Sequence, residues 1–582
     1  MTDLVDNSVG RDLPARLQQF HNLLAEQWEY EMRESPEFAT TIGDYRYNDR
    51  WSEYSLGHVE ENKRDLETWR RRFEDIDTTG FPEQEKLNQA LMVRNLRERI
   101  ENINLKNYEM PVDQFSGLHL QLAQFVHFIP FESTTHYGDY VSRLRQIPAL
   151  TDALIETLQQ GVRDRLMPPR FLLEKTARQC ELIADPPGAE NLFGQPVAHF
   201  PESVPAADRK SLLETVLSSV DNDVRPSYKK LASFIEKDYA PEGRPEPGMW
   251  FLPDGDIRYR FAIRRMTTTD MEPEAIHQLG LDEIARIESE QLKVAKTFGF
   301  CDLKSLRASL KTNPELIPAS GEQILERYRH YIAQMEGQLT KVFERLPNTK
   351  LEVRPLEKYR EKEAAAAQYY PPTPDGSRPG AILVNTGSYQ ERSLLTVEST
   401  TYHEGIPGHH MQFSIAQTLP GLPPFRQHAH YPAYIEGWAL YAESLAKELG
   451  FYQDAYSDLG RLSDELLRAV RLVLDTGVHF KRWTRQQMVD FFHEHTSLDE
   501  LDIQVETDRY IALPAQALAY KIGQLQILKL REYALSKLAS NYDLRTFHGQ
   551  ILDSGPLPLD MLETHVRSWI SARSLASSGE AG

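Results

Sequence analysis

Apolar residues recur at three- and four-residue spacing between charged ones through most of this chain, and that spacing is the strongest constraint on its fold. It runs over residues 13–33 and 60–107, and returns over 140–183, 210–239, 273–298 and 322–346. Residues so spaced share one face of an α-helix, and a chain with many such faces must pack helix on helix. Extended candidates are few: 249–252, 257–263 and 380–385. Turn-forming clusters interrupt the pattern at Asp185-Pro186-Pro187-Gly188, at 241–247 and at 371–379. The predicted class is mainly α with a small β element. The tail at 574–582 is small and polar and is expected to be disordered.

Composition removes several functions. A formal charge of −20 over 582 residues argues against nucleic acid or an anionic membrane as the main partner. No apolar run approaches the roughly 18 residues of a membrane span. The first residues, Met1-Thr2-Asp3-Leu4-Val5-Asp6, lack a basic patch followed by an apolar stretch, so no signal peptide is read and a cytoplasmic location is expected. Cys180 and Cys301 stand far apart, which excludes a disulfide scaffold and a four-cysteine zinc module. Gly-x-Ser-x-Gly, a phosphate-binding Gly-rich loop ending in Lys-Ser/Thr, and Gly-x-Gly-x-x-Gly are all missing, so serine hydrolases, nucleotide-driven enzymes and dinucleotide oxidoreductases lose their usual signatures.

The segment Thr401-Tyr-His-Glu-Gly-Ile-Pro-Gly-His-His-Met-Gln412 concentrates His403, Glu404, His409 and His410. Neutral imidazole is a good zinc ligand, and a carboxylate beside the first ligand is placed to take a proton from water. Helical zinc peptidases set their two histidines four residues apart, on one face. Here His403 and His409 are six apart, a step that on an unbroken helix rises about 9 Å and turns roughly 240°. Pro407 cannot donate to the carbonyl of His403, and Gly405 and Gly408 tolerate unusual backbone angles. A broken turn over 405–408 is therefore expected to fold the second histidine back. His409, directly after Gly408, is the expected ligand, with His410 the alternative. Glu436, in the apolar stretch Ile435 to Glu443, is the expected third ligand, and Glu443, on the same face seven residues on, a partner behind the ligands. A purely structural Glu436 paired with an arginine is the competing reading.

These residues resemble the bacterial family known as domain of unknown function 885, with His-Glu-x-x-Pro-Gly-His-His followed by Glu-Gly-Trp-Ala; Phe38 to Asp44 and Ile276 to Gly280 share the likeness. More distantly the segment resembles helical zinc peptidases with a glutamate ligand: angiotensin-converting enzyme, thermostable carboxypeptidase and the oligopeptidases. That resemblance implies zinc on His403, His409 and Glu436, with Glu404 as base. It also implies a two-lobed helical metallopeptidase-like fold with a deep cleft, residues 1–350 forming the wall and 351–582 the catalytic region.

Further candidates surround this set. The stretch from Gly380 to Asn385 would offer backbone groups to an extended peptide, or be an internal strand already paired. Arg471, Asp475 and His479 form a polar line at steps of four, from which Asp475 would orient an imidazole and His479 donate to an oxyanion, or all three would form a salt-bridge network. Tyr510 and Tyr520 are candidate oxyanion donors, and Arg509 and Lys521 candidate holders of a substrate carboxylate; the doublet Tyr369-Tyr370 is a weaker candidate. The expected function is zinc-dependent hydrolysis of short peptides. A zinc hydrolase of non-peptide amides and a non-catalytic metal-binding protein are the alternatives.

Overall fold

The computed structural model describes residues 8–356, 361, 365–373, 376 and 378–579. The chain is mainly α, with one three-stranded sheet. It divides into two compact units: 1–246 with 251–253, and 247–250 with 254–582. Among the described residues no helix is long and apolar enough to cross a membrane.

The first unit is helical, and α1 (Ser8–Glu34), α2 (Leu56–Glu74), α3 (Glu83–Asn104), α4 (Thr134–Asp164), α5 (Arg170–Ala184) and α6 (Arg225–Phe234) are among its elements. Its core gathers Tyr140, Leu144 and Ile147 of α4, Leu173 and Cys180 of α5 and Tyr228 and Leu231 of α6. The periodic runs at 60–107 and 140–183 are each two helices, separated by non-helical segments at 75–82 and 165–169.

In the second unit, α7 (Gly255–Thr267) and α8 (Pro273–Thr297) are followed by α9 (Gly321–Glu336). The sheet comes next: β1 (Leu351–Pro355), β2 (Ala367–Tyr370) and β3 (Gly380–Val384). Helices α10 (Val397–Glu404), α11 (His409–Thr418), α12 (Pro432–Glu448), α13 (Ala455–His479), α14 (Glu500–Ala512), α15 (Ala519–Leu538) and α16 (Leu559–Gly579) are among those that follow. Two pairings organise these elements: α8 lies along α13, and α12 along α15. The second is drawn close by glycine, since a Cβ on Gly437 would sit 2.4 Å from the Cα of Gly523.

Three expectations are corrected. Residues 257–263 lie in α7, not a strand: Ile257 is 57% exposed while Arg258 and Tyr259 are both buried, which a helix permits and alternation does not. Residues 249–251 form a 3₁₀ turn. In sequence the compact units meet near residue 250, and within the second α8 is packed on α13 and Lys521 of α15 reaches Glu283 of α8 at 2.7 Å. The tail expected to be disordered is helical to Gly579, and 580–582 lie outside the described residues.

Candidate metal centre

Gly405 ends α10 and His409 begins α11, so the helix breaks where the glycines and Pro407 stand. The reversal is tight. A Cβ on Gly408 would lie 2.0 Å from the carbonyl oxygen of His403, so no other residue fits there without moving the turn. Trp438 Nε1 donates to the Pro407 carbonyl at 2.9 Å and fastens the turn to α12, the helix that carries Glu436.

The fold brings His403, His409 and Glu436 together, with one ligand atom of each within 4.8 Å of the others. The Nε2 atoms of both histidines stand 3.5 Å from Oε2 of Glu436. That separation is long for a hydrogen bond, and this buried oxygen has no hydrogen-bond partner. It matches the roughly 3.3 Å edge of a tetrahedron whose ligands lie at 2.0–2.1 Å from zinc. Two imidazoles and a carboxylate are also the donor chemistry zinc prefers, so the residues fit the ion.

Behind the ligands, His403 Nδ1 is 2.7 Å from Oε1 of Glu443, which fixes Nε2 as the nitrogen facing Glu436. Glu443 is 2% exposed. Electrostatics describe a site short of positive charge. Burial would lower the His403 pKa, but the nearness of Glu436 and Glu443 raises it instead. Burial would raise Glu436, yet His403 and His409 hold it well below the usual carboxylate range. Burial pushes the Glu404 carboxyl up, with His403 and His409 acting in the opposite sense.

His410 faces elsewhere. Its Nδ1 accepts from the Tyr369 hydroxyl at 3.1 Å and its Nε2 donates to the Thr349 carbonyl at 3.1 Å, while burial lowers its pKa to about 4. The structure thus separates the adjacent histidines and sends His409 to the cluster. Tyr369, the weaker sequence candidate, stands over His409 with ring centroids 6.3 Å apart.

Of the remaining candidates only Tyr520 borders the cluster, its ring lying 6.3 Å from that of His403. Its hydroxyl oxygen accepts from Arg509 at 3.3 Å and Gln516 at 3.4 Å, which leaves its proton for another acceptor. Tyr510 differs: its proton goes to Glu506 at 2.6 Å and its oxygen accepts from Arg471 at 2.7 Å. Arg509 also pairs with Glu506, at 3.1 Å. Lys521 is fully buried against Glu283 and Glu465 at 2.7 and 2.8 Å and cannot reach a substrate. His479 spans the Tyr510 carbonyl at 2.9 Å and the Met249 amide at 3.2 Å. Asp475 accepts from Tyr259 at 2.6 Å and the Ala515 amide at 2.9 Å, so Glu443, and not Asp475, orients the imidazole. Strand β3 is the centre of the sheet, parallel to β1 and antiparallel to β2, so its ladder is filled and strand addition there is closed. Asn385 just beyond it donates to the Glu361 carbonyl at 2.7 Å.

Sequence reading passed over Ser399, Asp464 and Arg468, which stand behind Glu443. The signal was present: Asp464, Arg468, Arg471 and Asp475 follow at steps of three and four on α13.

Residues 36–566 match the profile of a family described as "Bacterial protein of unknown function (DUF885)". Among curated proteins none matches the sequence. Two solved structures are similar over nearly their whole length. One, from Colwellia psychrerythraea and described as a "putative lipoprotein", is 29% identical with a TM-score of 0.91, covering 96% of this chain and 100% of that one. The other, from Shewanella oneidensis and described as "a putative lipoprotein of unknown function", is 17% identical with a TM-score of 0.72, covering 94% of this chain and 99% of that one, and shows the fold alone.

Proposed function

The chain belongs to the DUF885 family of bacterial proteins, and for this member we propose zinc-dependent hydrolysis of peptide bonds in short peptides. One observation carries the proposal: two imidazole nitrogens 3.5 Å from an oxygen of Glu436 that no hydrogen bond satisfies, with Glu443 bracing one imidazole from behind. A bound zinc ion would supply Lewis acidity toward a carbonyl oxygen and a water.

The chain's own residues supply the rest. Glu404, next to His403 in sequence, takes a proton from the attacking water and passes it to the leaving amine. Its burial favours the carboxyl form and so readies it to give that proton back. Tyr520 donates to the oxygen that becomes negative, a proton that Tyr510 cannot offer because Glu506 holds it. Access is narrow, with His403 3% and His409 8% exposed, which suits a flexible peptide better than a folded protein.

The test pairs elemental analysis of purified protein with a mass-spectrometric screen of short peptides. Zinc near one ion per chain, peptide cleavage, and loss of both zinc and cleavage in His403→Ala are expected. Zinc without cleavage of any peptide would favour non-peptide amides, and a chain that takes up no zinc would end the reading.

A further inference from the structure

Glu443 is itself held, and the residues that hold it close a ring. His403 Nδ1 meets Glu443 Oε1 at 2.7 Å, and Arg468 Nη2 stands 3.5 Å from the same oxygen. Arg468 Nη1 donates to the Asp464 carbonyl at 3.0 Å and lies 3.0 Å from Asp464 Oδ1. The other oxygen of Asp464 accepts from the Ser399 hydroxyl. Ser399 lies one turn before His403 on α10, so the path leaves α10 at His403, crosses α12 and α13, and returns to α10 at Ser399.

The arrangement is costly unless it serves the site. The Arg468 side chain is 11% exposed, and its buried Nε has no hydrogen-bond acceptor among the described residues. Its two terminal nitrogens are spent on Asp464 and Glu443, one carboxylate that fixes the helix and one that fixes the imidazole. Without this guanidinium Glu443 would be a buried carboxylate held by the His403 imidazole alone, free to swing off it.

We propose that Arg468 is a positioning residue of the metal centre, setting the plane and tautomer of His403 through Glu443. The inference rests on the zinc reading above. It makes metal affinity, and not only activity, depend on a residue that touches neither metal nor substrate.

The experiment measures zinc affinity by chelator competition, and the visible absorption of the cobalt-substituted protein, for Arg468→Met, Arg468→Lys, Glu443→Gln and the double variant Glu443→Gln/Arg468→Met. Arg468→Met is expected to weaken zinc binding about 10- to 100-fold and to shift the cobalt bands, and Arg468→Lys to recover part of the affinity. In the Glu443→Gln background, adding Arg468→Met is expected to cost less than about threefold, because the path to His403 is already cut. Zinc affinity within about twofold and an unchanged cobalt spectrum in Arg468→Met, even with a lower melting temperature, would overturn the proposal, as would full additivity in the double variant. Should Arg468→Met fail to fold, Asp464→Asn releases the other anchor of the same guanidinium: weakened zinc binding supports the ring and unchanged binding refutes it. Failure of the unmodified protein to take up zinc or cobalt is a separate result, which removes the metal reading itself and this inference with it.

Discussion

Two regions of the molecule, one in each compact unit, bury ionisable side chains in opposite ways. In the first, Arg143 is fully buried with no carboxylate paired to it among the described residues: its donors go to the Arg50 carbonyl at 2.9 Å, Thr40 Oγ1 at 3.0 Å and the Tyr47 carbonyl at 3.3 Å, and its plane rests over Trp51 and Phe125. Burial lowers its pKa to about 10, and burial lowers that of the enclosed His119 to about 4. These groups are solvated one at a time by backbone and amide dipoles. Beside the candidate metal centre in the second unit, charges are instead buried against charges: Lys521 with Glu465 and Glu283, Arg471 with Glu506, Arg468 with Glu443. Burial would raise Glu465, but Lys521 and Arg286 hold it at about 2. A region that stays folded without binding an ion can satisfy a buried charge with carbonyls. If the second unit holds a dication as proposed, it needs carboxylates in place beforehand, and each of those needs a counter-charge when the dication is away.

The sharpest way to break that contrast lies at the centre itself. Glu404→Gln keeps size and removes the proposed base, so peptide hydrolysis is expected to fall by about 10²- to 10⁴-fold with zinc content unchanged, checked by steady-state rates beside elemental analysis. Retained activity would remove Glu404 from the chemistry. Next in size is the ion network around Lys521. Lys521→Met removes the buried cation between Glu283 and Glu465, leaving Arg286 as the cation they share, and is expected to cost about 3–5 kcal/mol, whereas Arg143→Met leaves only carbonyl and hydroxyl acceptors unpaired and is expected to cost about 1–3 kcal/mol. Denaturant unfolding of both variants measures the difference, and equal costs would show that the two styles of burial are energetically alike.

The helical class and the turn at 405–408 were legible because both follow from local chemistry: period 3.6 in one case, and two glycines flanking a proline in the other. The pairing of His409 with Glu436 was legible as residue types on apolar segments. The fate of the polar line on α13 was not. Periodicity places Arg471, Asp475 and His479 on one face, but which partner each meets depends on α14 and on the turn at Ala515, whose φ of +66° no pattern in the sequence announces. The same holds for β3. A short apolar run shows a strand, but its place at the centre of the sheet depends on β1 and β2, which carry no alternation strong enough to announce them.

Tyr510 and Tyr520 give a smaller and more selective test. Both belong to the cluster of Arg471, Arg509 and Glu506, yet only Tyr520 retains a proton to give. Tyr520→Phe is expected to lower kcat/KM about 10²- to 10³-fold with little change in melting temperature. Tyr510→Phe is expected to do the reverse, leaving Arg471 Nε and Glu506 short of a partner at a cost of about 1–3 kcal/mol while hydrolysis by the folded fraction persists. Swapped phenotypes would move the oxyanion role to Tyr510.

The last test concerns the one carboxyl on the α13 line that no cation compensates. Burial pushes Asp475 up to about 7, against which its bonds from Tyr259 and the Ala515 amide act only in part. Below pH ~4 the group is protonated both folded and unfolded and contributes no pH dependence. As pH rises from about 4 to 7 the unfolded chain releases its proton while the folded one keeps it, so stability falls across that window by up to roughly 1.4 kcal/mol per unit. Above 7 both forms are ionised and the loss is complete. Asp475→Asn has no proton to lose, and its amide can accept from the Ala515 amide while donating to Tyr259. Its stability relative to the unmodified protein should therefore widen steadily from pH 4 to 7 and then level off. A gap that stays constant with pH, measured by thermal unfolding of both proteins across that range, would mean that Asp475 is ionised in the fold and that its two donors suffice to hold a lone buried charge.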